Sequence, residues 1–354
     1  MKLAIFLPNW IGDVAMATPA LRALRDQFSS AEIIGIMRPY VADVLAGSGL
    51  LNRTMFYNPR GKDPAQRGWT FIRNLRAERI DTTLLLTNSL RTAWLAWLSG
   101  SPRRVGFARD LRGWLLTDQI PPKSRRVPNP VMDEYLRLVE RLGCHVTSRQ
   151  IELTVRPEDQ QQLDEFWNRI ENASNRTAVR WLRRGYVCFN TGGAFGAAKS
   201  WPKESFARLA QRVVEELGYG VLVACGPAER DDARWIAAAA DNPAVISLAD
   251  ARLSIGLTKA AIRGAELLVT TDSGPRHFAA AFETPVVTLF GPTHIAWSDN
   301  HYARSEHLQL KLDCGPCQQR ECPLKHHRCM RDLSVETVFA AIHRQLNPRR
   351  QQVA

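Results

Sequence analysis

Short apolar runs alternate with helix-length segments along almost the whole chain, and this order restricts the folds that the sequence can adopt. In the first half, residues 31–37, 53–57 and 82–87 are apolar enough for buried strands, with helix-length segments at 70–78 and 90–98 between them. In the second half, YVCFN, VLVACG, AELLVTT and PVVTLFG continue the pattern. This βαβα order predicts an α/β fold, with parallel sheets covered by helices on both faces.

The length of 354 residues favours two domains over one hydrophobic core. A polar and then basic passage, ELTVRPEDQQQLDEFWNRIENASNRTAVRWLRRG, separates the two α/β halves. We place the domain junction near Arg156. This predicts doubly wound domains at residues 1–155 and 156–354 with a cleft between them. Ligands of such sheets bind at the carboxyl ends of the strands.

The first apolar run leads into an unusual turn, in the stretch AIFLPNWIGDVAMATPALRAL. A secretory signal is one interpretation, but Pro8, Asn9 and Asp13 interrupt the apolar core, which in a signal runs for about 7–15 residues. A buried strand at 3–7, a tight glycine-containing turn and an amphipathic helix over 14–27 fit the stretch better. We therefore expect this segment to open the first α/β domain.

Composition and cysteine usage indicate a folded protein of a reducing compartment. No stretch approaches the ~18 apolar residues of a membrane span. Seven cysteines without a signal peptide argue against a disulfide framework. We therefore expect the protein to be cytoplasmic.

The formal net charge of +12 is unevenly distributed. Residues 91–126 hold eight basic side chains against Asp110 and Asp118, so this basic stretch alone carries +6. Such a surface attracts phosphates on nucleic acid, anionic lipid or a phosphorylated sugar. The eight basic residues are Arg91, Arg103, Arg104, Arg109, Arg112, Lys123, Arg125 and Arg126.

The glycine-rich loop NTGGAFGAAKSWP follows the first strand of the second half. Gly192, Gly193 and Gly196 leave backbone N–H groups accessible, and Lys199 adds a positive charge before a helix that we expect to begin near Pro202. Together they form a candidate phosphate cradle. The loop matches neither the Walker motif nor the dinucleotide fingerprint, and from spacing alone a flexible loop is an equally good interpretation.

Acids and a histidine follow the later strands. Glu229 is placed to accept hydrogen bonds from ribose hydroxyls, or it is simply an acid favoured at a helix N-terminus. Asp272 or Ser273 can cap the next helix, whose N–H groups would also suit a pyrophosphate. His277 either donates to that phosphate or packs in the core, and packing is the simpler interpretation.

These motifs together resemble the ADP-heptose:lipopolysaccharide heptosyltransferases, glycosyltransferase family 9. The resemblance rests on the Trp-Ile-Gly-Asp turn after the first strand, the loop ending in Lys-x-Trp-Pro, the acid after the next strand, and Asp-Ser-Gly-x-x-His before an Ala-rich helix. It extends over nearly the whole chain and includes SPRRVGFARDLRGWLLT.

The resemblance implies a GT-B fold, in which two Rossmann-like domains face a central cleft. The N-terminal domain would bind an inner-core lipopolysaccharide acceptor, and the C-terminal domain would bind ADP-heptose. In this inverting transfer Asp13 is the expected general base, and Gly12 lets the backbone approach closely. A helix N-cap is the structural alternative for Asp13.

Further roles follow from the same resemblance. Lys199 would neutralise the diphosphate leaving group, so the transfer would need no metal or other cofactor. Glu229 would contact the ribose, and His277 would lie near the phosphates. The remaining expected donor contacts are Thr191, Gly192, Gly193, Asp272, Ser273 and Gly274.

The basic stretch gains a candidate partner from the resemblance, since inner-core lipopolysaccharide carries carboxylates and phosphates. Arg103, Arg104, Arg109 and Arg112 would then hold the acceptor or dock the protein peripherally on the anionic face of the inner membrane. Contact with lipid is one interpretation of the neighbouring Trp94, Trp97 and Trp114. Their spacing of three on a helix favours the core instead.

A cysteine-rich segment, CGPCQQRECPLKHHRCM at 314–329, is not explained by the resemblance. Its C-x2-C-x4-C-x6-C spacing, with His326 and His327 before the last cysteine, is compatible with a zinc site. Reduced structural thiols and a redox-labile pair are the alternatives. The metal candidates are Cys314, Cys317, Cys322 and Cys329.

Functions other than heptose transfer are compatible with parts of the sequence. A GT-B transferase with another nucleotide sugar or acceptor, and a noncatalytic protein that binds an anionic ligand, remain open. Nucleic acid is not an expected partner, because no nucleic-acid motif is present and Asp13, Glu229 and Asp272 would repel its phosphates. A nicotinamide dehydrogenase is excluded by the absence of G-x-G-x-x-G after the first strands.

Overall fold

Some residues lie outside the part of the chain that the computed structural model describes. They include Arg125 and Arg126 of the basic stretch, residues 173–180 of the polar passage and residues 194–195 of the glycine-rich loop. The described residues are 1–124, 127–172, 181–182, 184–193 and 196–347.

The chain divides into two compact units. Unit 1 comprises Met1–Thr154 and Ala296–His301, and unit 2 comprises Val155–Ile295 and Tyr302–Ala354. The first division therefore falls between Thr154 and Val155. The short return of the chain to unit 1 had no signal in the sequence.

Unit 1 contains a six-stranded parallel sheet with the strand order β3-β2-β1-β4-β5-β6. The central strand β1 is almost entirely buried, with Ile5 between Gly35 of β2 and Leu84 of β4. The strands are β1 Lys2–Phe6, β2 Glu32–Met37, β3 Arg53–Phe56, β4 Thr82–Leu85, β5 Arg103–Phe107 and β6 Asp118–Ile120. The helices are α1 Ile11–Met16, α2 Thr18–Gln27, α3 Ala42–Leu45, α4 Gly68–Ala77, α5 Leu90–Leu98 and α6 Val131–Glu140.

Unit 2 has a second six-stranded parallel sheet with the order β12-β11-β10-β7-β8-β9. Its core packs Phe189 of β7 against Phe206 of the following helix. The strands are β7 Tyr186–Asn190, β8 Gly220–Ala224, β9 Val245–Ser247, β10 Leu267–Thr271, β11 Val286–Phe290 and β12 Ser305–Gln309. The helices are α7 Pro157–Asn172, α8 Lys203–Arg212, α9 Arg230–Ala239, α10 Ile255–Arg263, α11 Pro275–Ala281, α12 Arg328–Arg331 and α13 Val335–Leu346.

Both sheets follow the doubly wound order 3-2-1-4-5-6, counted from the first strand of each unit. The expected α/β class with two Rossmann-like sheets is therefore confirmed. In this topology the strand order reverses beside the first strand, and ligands bind at the carboxyl ends there. The two switch points lie between β1 and β4 in unit 1, and between β7 and β10 in unit 2.

The helical segment after β1 differs from the prediction. A single helix over 14–27 was expected, but α1 already begins at Ile11, and α2 begins at Thr18. The break has a local cause, because Pro19 has no N–H to donate to the preceding turn. The Thr18 hydroxyl donates to the Ala15 carbonyl instead, at 2.8 Å.

In the described part of the chain, no helix combines the length and the apolar character needed to cross a bilayer.

Candidate active site

Asp13 lines a cavity of about 280 Å³ at the switch point of unit 1. Segments that follow β1, β4 and β6 supply most of the wall, at the carboxyl ends of the strands where ligands of such sheets bind. All of the lining residues belong to unit 1. They are Pro8, Asn9, Trp10, Asp13, Leu86, Thr87, Asn88, Ser89, Phe107, Arg109, Lys123, Ser124, Asn129, Val131, Glu134, Tyr135 and Trp297.

Asp13 lies in the first turn of α1, where the helix dipole favours an anion. The N-cap residue is Trp10, so the alternative that Asp13 is a helix N-cap is wrong. Gly12 likewise belongs to α1 and not to a preceding turn. Burial, with the Asp13 charge as a smaller contribution, raises the pKa of the Tyr135 phenol well above its ordinary value. Tyr135 therefore stays protonated and can donate a hydrogen bond in the cavity.

Two basic side chains give this cavity a positive side. Lys123 Nζ donates to Asn129 Oδ1 at 2.6 Å and lies 3.9 Å from Glu134 Oε1. Arg109 approaches the Lys123 carbonyl at 3.5 Å. A polyhydroxylated ligand that carries negative charge suits this combination of hydroxyl, amide, carboxylate and cationic groups.

A second cavity of about 300 Å³ shares Asn9, Thr87 and Ser89 with the first. Arg38 and Arg91 line it, together with polar and apolar side chains after β1, β2 and β4. Ser89 thus contributes to both cavities, and its hydroxyl also caps α5 by accepting from the Thr92 N–H.

Arg112 does not belong to an exposed anion-binding surface, so that prediction is wrong. Its side chain is fully buried, and burial lowers its pKa to about 10. The guanidinium donates to the carbonyls of Phe107 at 2.8 Å and Thr87 at 2.6 Å, and to Asn88 Oδ1 at 3.1 Å. Because these three residues line the first cavity, Arg112 acts as a positioning residue for its wall.

Two other basic candidates, Arg103 and Arg104, also have partners within the protein. Arg103 pairs with Asp118 at 3.0 Å. The Arg104 guanidinium donates to the carbonyls of Leu115 at 2.7 Å and Ser101 at 2.5 Å. Of the four arginines proposed for the acceptor, only Arg109 lines the first cavity.

Lys199 and Asp272 form a buried ion pair at the switch point of unit 2. Lys199 Nζ lies 2.6 Å from Asp272 Oδ2 and donates to the Asp272 carbonyl at 2.8 Å. Thr293 donates to the same carboxylate at 2.7 Å, and Arg276 lies 3.6 Å from Asp272 Oδ1. Burial alone would raise the pKa of Asp272, but Lys199 and Arg276 outweigh it and hold that pKa at about 2.

Glu229 lies tightly against two glycines. A Cβ atom at Gly192 would lie 2.5 Å from Glu229 Cδ, and one at Gly226 would lie 2.5 Å from Glu229 Oε2. The carboxyl group therefore lies where the loops after β7 and β8 converge. Glu229 is the N-cap residue of α9, but its side chain makes no capping hydrogen bond.

Sequence reasoning missed Asn190, which ties the loops of unit 2 together. Its amide donates to the Gly192 carbonyl at 3.1 Å, to Thr270 Oγ1 at 3.0 Å and to Ser273 Oγ at 3.1 Å. The Ser273 side chain is thus engaged with Asn190 and does not cap α11, whose N-cap residue is Gly274. Polar Asn190 at the end of an otherwise apolar strand was the available signal.

Thr191 carries a buried hydroxyl that has no hydrogen-bond partner among the described residues. A buried hydroxyl normally has a partner, so this atom indicates a place for a ligand oxygen. Gly193 lies against Ser273, and a Cβ atom at Gly193 would lie 3.3 Å from Ser273 Cβ. Gly196 closes the loop where the Arg320 carbonyl approaches its backbone.

His277 lies on α11 and is only 3% exposed. Burial, together with the charge of Arg276, lowers the pKa of His277 well below its ordinary value. The imidazole is therefore neutral at pH 7. It can donate one hydrogen bond but contributes no positive charge toward a phosphate.

The four cysteines of the 314–329 segment line one small cavity together with His326. All four are free thiols, and Cys314 Sγ lies 4.0 Å from His326 Nε2. Over the described ranges, no three His, Cys, Asp or Glu side chains are arranged to hold a metal ion. The metal candidate therefore stays a prediction.

The family model of glycosyltransferase family 9 (heptosyltransferase) matches residues 68–328, well over half of the chain. The chain belongs to glycosyltransferase family 9. The match includes the loop and strand ends of unit 2 with Lys199 and Asp272, and it begins after Asp13.

Individual heptosyltransferases match over nearly the full length. Lipooligosaccharide heptosyltransferase 2 of Campylobacter jejuni is 26% identical over 98% of this chain and 100% of its own. Lipopolysaccharide heptosyltransferase 2 of Escherichia coli K12 is 24% identical over 97% of this chain and 98% of its own. The resemblance inferred from the motifs is thereby confirmed.

Solved structures show the same fold. ADP-heptose lipopolysaccharide heptosyltransferase II of E. coli superposes with a TM-score of 0.78 at 22% identity, covering 99% of this chain and 100% of that chain. An E. coli heptosyltransferase solved with ADP-2-deoxy-2-fluoro heptose gives a TM-score of 0.68 at 17% identity, covering 97% and 99%. The family 9 chain thus has an α/β fold of the GT-B type.

Proposed function

We propose that this family 9 protein transfers heptose from ADP-heptose to a hydroxyl of the lipopolysaccharide inner core, with inversion at the anomeric carbon. Relatives that match over nearly the full length are named as lipopolysaccharide or lipooligosaccharide heptosyltransferases. The observation that carries the proposal is the placement of Asp13 in a cavity at the switch point of unit 1.

Asp13 acts as the general base in this proposal. Its carboxylate takes the proton from the acceptor hydroxyl as that oxygen attacks the anomeric carbon, and ADP leaves with the electron pair of the broken C–O bond. General-base catalysis of this kind contributes about 10²–10⁴-fold to a rate. Tyr135, held protonated beside Asp13, donates a hydrogen bond that orients the acceptor or the carboxylate.

Unit 2 binds the donor in this proposal. Glu229 accepts from the ribose hydroxyls, while Thr191 and the backbone N–H groups of Gly192 and Gly193 face the diphosphate. The sugar and nucleotide contact Asp272, Ser273 and Gly274, and neutral His277 donates to the phosphates. Lys199 supplies positive charge for the leaving diphosphate and keeps the Asp272 loop in place.

Basic side chains at the first cavity support an anionic acceptor in this proposal. Arg109 and Lys123 would meet the carboxylates and phosphates of an inner-core acceptor at the cavity that Asp13 lines. Because that acceptor is attached to lipid, the protein would work peripherally at an anionic membrane face.

The test is Asp13→Asn, compared with Asp26→Asn, an exposed acid on α2 that lines neither cavity. We expect Asp13→Asn to bind ADP with the wild-type affinity by calorimetry and to lose about 10²–10⁴-fold in kcat. The Asp26 control should keep both. Loss of ADP binding by Asp13→Asn, or retention of its kcat, would show that Asp13 is not the base.

A further inference from the structure

Three tryptophan rings form an exposed cluster on unit 1, contrary to the expectation that their spacing places them in the core. Trp94, Trp97 and Trp114 are 44%, 46% and 67% exposed. The ring centroids of Trp94 and Trp97 are 5.4 Å apart, and those of Trp94 and Trp114 are 5.9 Å apart. Leu90 and Leu111 add apolar side chains that are 45% and 89% exposed. We call these five residues the tryptophan patch.

The tryptophan patch is exposed because mostly small residues occupy the buried side of α5. Thr92, Ala93 and Ala96 are buried on that side, with Leu95. Leu90, Trp94 and Trp97 follow each other at i, i+4 and i+7, and so share the opposite, exposed face of the helix. Contiguous apolar side chains left in water mark an interaction site.

Charge around the patch indicates the chemistry of its partner. Arg91 is exposed on α5, three residues before Trp94. Arg109 lies two residues before Leu111, and Asp110 is the only acid between Arg91 and Trp114. Tryptophan rings beside arginines suit the headgroup zone of a bilayer, where anionic lipids attract the cations.

The patch is continuous in sequence with the wall of the first cavity. Ser89 and Arg109 line that cavity, and the patch residues Leu90 and Leu111 follow them directly or two residues later. Lipid contact at the patch would therefore hold the cavity with Asp13 close to the headgroups.

We propose that the tryptophan patch docks unit 1 on the headgroup zone of an anionic phospholipid bilayer. The benefit for catalysis rests on the proposed function, since it assumes an acceptor attached to lipid. The docking itself does not require any substrate, so the two ideas can fail separately.

The experiment is sedimentation of the full chain with vesicles of phosphatidylglycerol and phosphatidylcholine. Trp94→Ala/Trp97→Ala/Trp114→Ala should lose about tenfold or more in partitioning, because the buried apolar area drives interfacial binding. Trp69→Ala removes a ring that is 78% exposed elsewhere on unit 1, and this control should bind as wild type. Wild type should bind less to vesicles of phosphatidylcholine alone.

A single substitution tests the patch even if the triple variant fails to fold. Trp114→Glu changes one exposed ring in a short turn, and it should weaken binding to the anionic vesicles while the thermal melting temperature stays unchanged. With a lipid-free inner-core oligosaccharide as acceptor, both patch variants should have the wild-type kcat/KM. With an acceptor embedded in vesicles, their kcat/KM should be lower than that of the wild type.

Several results would overturn the proposal. The proposal fails if the wild-type protein does not bind anionic vesicles, or if the patch variants bind them as well as wild type does. It also fails if the patch holds two copies of the chain together. In that case the wild type would be a dimer, and Trp114→Glu would convert it to a monomer without any change in vesicle binding. Failure of wild type to transfer heptose to the lipid-free acceptor would refute the proposed function and leave the docking result standing.

Discussion

The buried pair of Lys199 and Asp272 allows a quantitative prediction. Lys199→Met approximately keeps the volume of the side chain but removes the ammonium group from the Asp272 carboxylate, while the Thr293 hydroxyl at 2.7 Å and Arg276 at 3.6 Å remain beside it. Removing one partner of a buried pair costs roughly 3–5 kcal/mol. Because Thr293 and Arg276 remain, we expect the lower end, about 3 kcal/mol.

The double variant Lys199→Met/Asp272→Asn isolates the interaction energy between the two side chains from the effects of each substitution on other neighbours. It buries neither charge, so its loss of stability should be smaller than the sum of the single losses, with a coupling of about 1–3 kcal/mol. Urea unfolding followed by tryptophan emission and far-ultraviolet circular dichroism measures these free energies of unfolding, with the transition of unit 2 fitted separately.

The pH dependence has a definite sign. The pKa of Asp272 falls from an ordinary 3.8 to about 2 in the folded protein, so its stabilising contribution is complete above 3.8 and is lost as the pH falls toward 2. Without Lys199, burial raises that pKa, and acid unfolding should begin at a higher pH. Additive single effects, a loss below about 1 kcal/mol, or an unchanged acid transition would refute the reasoning.

Two further substitutions test the walls of the two sites. Arg112→Met leaves the Thr87 and Phe107 carbonyls without their charged donor, so the free energy of unfolding of unit 1 should fall by about 2–4 kcal/mol in urea titrations; wild-type stability would contradict the role assigned to Arg112. Gly192→Ala places a Cβ 2.5 Å from Glu229 Cδ, so calorimetry should show at least about tenfold weaker ADP binding, and an unchanged affinity would contradict the placement of Glu229 at the ribose.

The alternation of apolar runs predicted four strands of each six-stranded sheet, because buried parallel strands are nearly continuous hydrophobic segments. The strands β5, β6, β9 and β12 were not predicted. The alternation also placed Asp13 and Asp272 in segments that follow β1 and β10, and such segments lie at the carboxyl edge of a parallel sheet. The early start of α1 was missed because Trp10 is not a typical capping residue.

The surroundings of the charged and aromatic residues could not be predicted in the same way. In sequence Arg112 resembles its exposed neighbours, and only the folded backbone brings the carbonyls of Thr87 and Phe107 to its guanidinium. The tryptophans were assigned to the core from their spacing, but small residues of α5 fill that position. Lys199 was expected to bind a phosphate of the donor. Its ion pair with Asp272 was not predicted, because the two residues follow strands that are far apart in sequence.

The central claim is heptose transfer from an ADP-linked donor, and mass spectrometry of the acceptor tests it most directly. Purified wild-type protein is incubated with a lipid-free inner-core oligosaccharide and, in separate reactions, with ADP-heptose, a UDP-sugar or a GDP-sugar. The account predicts that one heptose is added from ADP-heptose alone, and that Asp13→Asn adds almost none. Transfer from a UDP- or GDP-sugar in preference to ADP-heptose, or no transfer from any donor, would contradict it.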